Sequence, residues 1–93
     1  MTLDQEGIIN AICEHMAERK QLDPSKIEVD LQWEEHLGFS AEVAVDGRTQ
    51  ILVEANMLEA IERYLFKHFD RRVFRSQLEL DVEDEMFCIV KDE

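Results

Sequence analysis

Hydrophobic residues recur every three or four positions in two stretches of the chain, a spacing that predicts two amphipathic helices. The first helix is predicted from about Leu3 to Lys20, with Thr2 and Gln5 at the spacing of a capping box. Gly7 lies inside this helix, where glycine is unfavourable, and indicates a close approach to another backbone. The second helix is predicted from the capping residue Asn56 to about Phe69.

Between and after the helices, apolar and polar residues alternate with a period of two, which predicts strands with one buried face. The five predicted strands cover residues 27–34, 39–46, 48–54, 78–83 and 86–91. Gly38 marks the first reversal, and Asp46-Gly47 is typical of a two-residue hairpin. The last strand is apolar on both faces, which is typical of a central strand or of one covered by a partner.

The order of elements is therefore α-β-β-β-α-β-β. It predicts an α+β fold, a two-layer sandwich in which two helices pack on one face of an antiparallel sheet. The chain has 93 residues, which is the length of a single domain, and we expect that domain to span residues 1–93.

The charge balance narrows the choice of partners. The chain has 22 Asp and Glu against 10 Lys and Arg, a net charge of -12, which repels nucleic acids and anionic lipids. We expect no nucleic-acid and no membrane partner. The N-terminus has no signal-peptide pattern and no apolar run is long enough to span a bilayer, so a cytoplasmic location is predicted. Cys13 and Cys88 each fall on an apolar stripe, as buried free thiols do.

A group of carboxylates is predicted to point away from the core and to lie on one sheet surface. Its members are Glu28, Asp30, Glu34, Glu42, Glu54, Glu79, Asp81 and Glu83. One interpretation is a solvated acidic face that keeps the protein soluble and blocks pairing of sheet edges. The other is a functional face that binds a divalent cation, binds a protein with a basic surface or mimics a polyanion, because like charges across strands need compensation.

The second helix carries more apolar surface than one buried stripe requires. The surplus predicts a contact with the first helix or with a second copy, and the residues expected at an interface are Met57, Leu58, Tyr64, Phe66 and Phe69. Half of all Lys and Arg residues cluster at the end of this helix and just after it, at Arg63, Lys67, Arg71, Arg72 and Arg75. An acidic sheet and a basic helix end on one small molecule favour self-association, so a homodimer is predicted.

The sequence contains no metal-binding or nucleophile motif, and its three histidines, His15, His36 and His68, occupy different predicted elements. We therefore predict no catalytic residue, no metal and no cofactor, and interpret the chain as a non-enzymatic protein-interaction domain. The alternative is a small-molecule or divalent-metal-binding protein with a site between the sheet and the second helix, formed by Glu54, His36 and His68. Their convergence in a concave pocket would favour the alternative.

Three segments resemble the signature of the YxcD-like proteins, a family of small uncharacterised proteins from Gram-positive spore formers. The segments are Gly38-Phe39-Ser40-Ala41-Glu42-Val43, Asp46-Gly47-Arg48-Thr49-Gln50 and Glu54-Ala55-Asn56-Met57-Leu58-Glu59-Ala60-Ile61. The resemblance implies a cytoplasmic α+β domain of this length. It implies no activity, substrate or catalytic residue.

Overall fold

A computed structural model describes residues 1–92 and contains two α-helices and six strands, with short 3-10 helices at Pro24–Lys26 and Arg75–Gln77. In chain order these are β1 (Thr2–Leu3), α1 (Gln5–Lys20), β2 (Ile27–Glu34), β3 (Gly38–Val45), β4 (Arg48–Val53), α2 (Glu54–Phe69), β5 (Leu78–Val82) and β6 (Met86–Val90). The predicted α+β class and the predicted order of elements are confirmed. The sequence pattern did not reveal β1.

The strands form two three-stranded antiparallel sheets, where the alternation had suggested one. The meander β2-β3-β4 is one sheet, and β1-β6-β5 is the other. β1 pairs beside β6, with Thr2 opposite Ile89 and Leu3 opposite Cys88. Because β6 has a neighbour on each side, it is a central strand, as its apolar character predicted.

The first helix is capped differently from the prediction. Asp4 is the N-cap residue, and its Oδ1 accepts a hydrogen bond from the Gly7 amide at 2.8 Å. The predicted capping box is therefore wrong, because Thr2 lies in β1. Gln5 has another role, since its Oε1 accepts from the Met86 amide at 3.2 Å and ties α1 to β6.

The second helix begins at Glu54, directly after β4 and two residues earlier than predicted. Asn56 lies in its first turn, and its Oδ1 accepts a hydrogen bond from the Val53 amide at 3.3 Å. The side chain of Asn56 thus stabilises the start of the helix from inside it. As a consequence, Glu54 belongs to a helix and not to a strand.

One hydrophobic core joins the two sheets. α1 packs against α2, β2 and β6, and α2 also packs against β3 and β4. The largest fully buried side chains come from both helices and from β3 and β6; they are Ile8, Ile12, Met57, Ile61, Leu65, Val43, Val90 and Cys88. Each such apolar side chain contributes about 1.5–3 kcal/mol through burial. Neither helix within residues 1–92 has the length and apolar character needed to cross a membrane.

The absence of a side chain at Gly7 leaves space for the side chain of Leu3, whereas the sequence predicted the close approach of another backbone. A Cβ atom at this position would lie 2.5 Å from Leu3 Cδ1. Leu3 is buried and belongs to β1, so the glycine allows the N-terminal strand to pack closely on α1.

Candidate functional site

The eight carboxylates predicted on one sheet surface are distributed over three parts of the molecule. Glu28, Asp30, Glu34 and Glu42 lie on the outer face of the β2-β3-β4 sheet, where Asp30 is directly opposite Glu42. Glu79 and Asp81 lie on β5 in the other sheet, and Glu83 follows that strand. Glu54 is in α2. The single acidic surface is divided because the strands form two sheets.

The residues predicted as an interface on the second helix also separate. Met57 and Leu58 are only 0% and 7% exposed and belong to the core, so they cannot contact a partner. Tyr64 is half-buried, and its ring centroid lies 6.1 Å from that of Phe69. Phe66 and Phe69 are each 51% exposed. The accessible part of the predicted interface is therefore limited to the end of α2.

Glu54, His36 and His68 do not converge. Glu54 and His68 lie at opposite ends of α2, about 21 Å apart along the helix axis at 1.5 Å per residue. His68 Nε2 is 2.6 Å from Glu14 Oε2, and His36 lies in the turn between β2 and β3. Within the described residues, no group of three His, Cys, Asp or Glu side chains could hold a metal ion. The predicted alternative site is wrong in its residues.

A different candidate site lies at β4, which is an edge strand of the β2-β3-β4 meander. It follows a tight turn in which Asp46 and Gly47 have φ of 51° and 77°. The residues flanking such a two-residue turn, Val45 and Arg48, exchange both backbone hydrogen bonds. Hydrogen bonding to β3 then alternates along β4. The backbone groups of Gln50 and Leu52 bond to β3, and those of Thr49, Ile51 and Val53 do not.

The backbone groups of Thr49, Ile51 and Val53 therefore point away from β3. The bond from the Val53 amide to Asn56 agrees with this alternation, because it is made to a residue outside the sheet. In residues 1–92, no backbone hydrogen bond from another segment covers Thr49 or Ile51. Two residues of β4 thus present unpaired N–H and C=O groups at the sheet edge.

The side chains of this edge are apolar as well. Ile51 and Val53 lie on the outer face and are 54% and 57% exposed. The opposite edge strand, β2, carries the exposed carboxylates Glu28 and Asp30 on the same face. Charged side chains protect an edge from pairing, whereas an open apolar edge is a template for another strand. The two edges of one sheet therefore differ in their capacity to bind a partner.

A basic cleft lies beside β4, between that strand and the end of α1. It has a volume of about 360 Å³ and is lined by His15, Arg19 and Lys20 of α1 together with Gln50 and Asn56. A larger cleft of about 740 Å³ also includes Lys20 and Gln50, and extends to Arg48 and Asp46 at the hairpin. Both clefts are open to solvent.

His15 is the unusual residue of the basic cleft. It is only 6% exposed, and neither ring nitrogen has a hydrogen-bond partner within residues 1–92. Burial lowers the pKa of the His15 imidazole, although the Glu59 carboxylate opposes this effect. The side chain is therefore neutral at pH 7, with one N–H donor available. Its position four residues after Ala11 and three after Ile12 was the signal in the sequence that it faces the core.

Comparison with known protein families shows which family the chain belongs to. A family described as a protein of unknown function, DUF2653, matches residues 1–85. The chain belongs to this family. The DUF2653 match includes both helices, β4 and all the residues named in the basic cleft. It confirms the expectation of a small uncharacterised family, while the more specific YxcD-like relationship stays a prediction. Neither the curated proteins nor the solved structures give a match.

Proposed function

We propose that the chain is a non-enzymatic interaction domain that forms a homodimer by pairing β4 with β4 of a second copy. The observation that carries the proposal is the open, apolar edge of β4. Addition of a strand to such an edge is a common mode of protein recognition, in which backbone hydrogen bonds supply affinity. The result would be one six-stranded sheet shared by two copies.

The free backbone groups favour a second copy of this chain as the occupant. When two copies of β4 pair antiparallel with Thr49 opposite Ile51, the four free groups of each strand all gain partners. The hydrogen bond between Val53 and Asn56 is retained in this arrangement. The two-fold axis passes beside Gln50, so the interface is self-complementary, as a symmetric dimer requires.

Side chains support the same register. Thr49 and Ile51 face each other across the strands on the outer face, and pairs of this kind contribute about 0.2–1 kcal/mol each. In this register Arg48 lies opposite Leu52 of the second copy, two residues before Glu54 at the start of that copy's α2. Within residues 1–92, Arg48 has no carboxylate within 4 Å in its own chain. A partner carboxylate would therefore meet an unpaired guanidinium.

The acidic side chains have a complementary role in this proposal. Glu28 and Asp30 direct association to β4 by discouraging pairing along β2. Their charge also leaves a surface suited to a further protein with basic residues. Two free cysteines, Cys13 and Cys88, support a cytoplasmic location for the domain.

Sedimentation of two matched variants tests the proposal. Ile51→Lys places a charge on the open edge, whereas Phe66→Lys places the same charge on a side chain of similar exposure at the end of α2. We expect the wild type and Phe66→Lys to sediment at high micromolar concentration as dimers, with twice the 11.0 kDa mass of one chain. We expect Ile51→Lys to sediment as a monomer.

The opposite pattern, a dimer lost in Phe66→Lys and kept in Ile51→Lys, would move the interface to α2. A wild-type protein that stays monomeric would contradict the homodimer, and the edge would then be free for a strand from another protein. Circular dichroism of both variants checks that each remains folded.

A further inference from the structure

We propose that the basic cleft between the end of α1 and β4 binds a small phosphorylated anion, through Arg19, Lys20 and His15. This site adjoins the proposed dimer contact, because Ile51 of the β4 edge also lines the cleft. Dimerisation would use the backbone edge and the outer face of β4, whereas the groups proposed to bind the anion come from α1, from Asn56 of α2 and from Gln50 on the opposite face of the strand.

The distribution of ion pairs supports a site for an anion. Within residues 1–92, four of the ten Lys and Arg residues have a carboxylate within 4 Å; these are Lys67, Arg71, Arg75 and Lys91. Arg19 and Lys20 are neighbours among the six without such a partner, although the chain has more than twice as many carboxylates as cations. The cleft therefore concentrates unpaired positive charge on a protein of net charge -12.

His15 adds a directed donor to these charges. Buried polar groups in folded proteins almost always have a hydrogen-bond partner, and those without one often mark a functional site. Both nitrogens of this 94%-buried ring lack a partner within the described residues. A small movement of the ring would direct its N–H to a ligand oxygen in the adjoining cleft. The other charges that influence the imidazole are those of Glu59, Arg19, Arg63 and Glu18.

The far wall of the cleft supplies neutral donors. Asn56 uses its Oδ1 to accept from Val53, which leaves its amide nitrogen free to donate. Gln50 lies beside it on the inner face of β4. Cations and amide donors around a cleft of about 360 Å³ suit a compact anion with several oxygens. A phosphate or pyrophosphate group has this character, and an apolar ligand does not.

Titration with inorganic pyrophosphate, followed by amide and histidine NMR signals, tests the site. We expect saturable shifts at Arg19, Lys20 and Gln50, and a rise in the pKa of His15, because a bound anion stabilises the imidazolium. Replacing both cations, in Arg19→Gln with Lys20→Gln, removes two charge-assisted contacts and should weaken binding about tenfold or more.

A control of equal charge separates the site from general attraction. Lys26→Gln with Arg72→Gln removes the same two charges outside the cleft, and we expect its affinity to stay within about twofold of the wild type. Equal weakening in the two double variants, or the absence of saturation at millimolar pyrophosphate, would overturn the proposal.

The site can also be tested apart from the dimer. Thr49→Pro removes an edge N–H that points away from β3, and it leaves Arg19, Lys20 and His15 in place. If this variant is monomeric and still binds pyrophosphate, the cleft is a site of the single chain. If binding is lost together with the dimer, a site contained in one chain is contradicted. If the wild-type protein is itself monomeric and binds pyrophosphate, only the proposed dimer fails.

Discussion

His15 Nε2 lies 3.8 Å from Glu59 Oε2 where α1 packs on α2. The imidazole and the carboxylate could form a hydrogen bond, but this distance is too long for one. The imidazole is nevertheless buried, and burial holds its pKa below the ordinary value. The pair is therefore a neutral ring beside a half-exposed carboxylate, with the ring available for another partner.

We expect the free energy of unfolding to fall as the pH drops through the histidine range, and His15→Gln to reduce that fall. The folded-state pKa of His15 is lowered from 6.5, so the unfolded chain binds the proton first. Its contribution is complete above the unfolded pKa and is lost as the pH falls towards the folded pKa. Guanidinium unfolding at about pH 7.5 and about pH 5.5 measures the effect. The same pH dependence in both proteins would contradict it.

Gly7→Ala should destabilise the protein although alanine is the better helix former. The change adds about 1 kcal/mol of helix propensity. Its Cβ, however, meets the buried Leu3 side chain at 2.5 Å, and overpacking of this kind costs about 1–3 kcal/mol. Thermal or guanidinium unfolding shows whether Gly7→Ala lowers or raises the free energy of unfolding. In a Leu3→Ala background the clash is absent, so Gly7→Ala should there be neutral or stabilising. A wild-type protein stabilised by Gly7→Ala would show that β1 does not pack on α1 as described.

Truncation at two positions of α2 should have unequal effects on stability. Met57 is fully buried, and Met57→Ala should reduce the free energy of unfolding by about 2–5 kcal/mol. Phe69 is half-exposed, and Phe69→Ala should cost less than Met57→Ala. Chemical denaturation of both variants measures the difference. Similar losses at the two positions would indicate that α2 is rotated from the orientation described.

Cys88 should be unreactive in the folded protein. Its thiol is fully buried in β6, and burial raises its pKa to about 11, so almost no thiolate is present near pH 8. In a Cys13→Ser variant, a thiol reagent such as a disulfide dye should react with Cys88 only after guanidinium is added. Rapid reaction of the folded variant would mean that the β1-β6-β5 sheet opens readily.

Much of the architecture follows from periodicity. In both helices and in the five longer strands, apolar residues recur with the period of the element. Asp46 and Gly47 tolerate the positive φ values that their turn requires. The two-residue β1 has no period to detect. In the described residues, β5 and β6 pair with each other and with β1 but not with the β2-β3-β4 meander, and local alternation cannot specify which strands pair.

The binding features were harder to predict. Alternation in β4 separates Thr49, Ile51 and Val53 from Gln50 and Leu52, but each set contains both polar and apolar members. The packing of Leu52 in the core decides which set faces outward, and that is a tertiary effect. In α2, the apolar excess predicts an interface that includes Met57 and Leu58, whereas both side chains are buried in the hydrophobic core.

Pairing of β4 with a second copy is tested most directly by an isotope-filtered NOE experiment on a mixture of labelled and unlabelled chains. In the proposed register, Arg48 of one copy and Leu52 of the other form a non-hydrogen-bonded pair, whose Cα atoms lie about 4.5 Å apart. We predict an intermolecular contact between their Hα protons. A dimer without this contact, or with contacts confined to Phe66 and Phe69, would contradict the account.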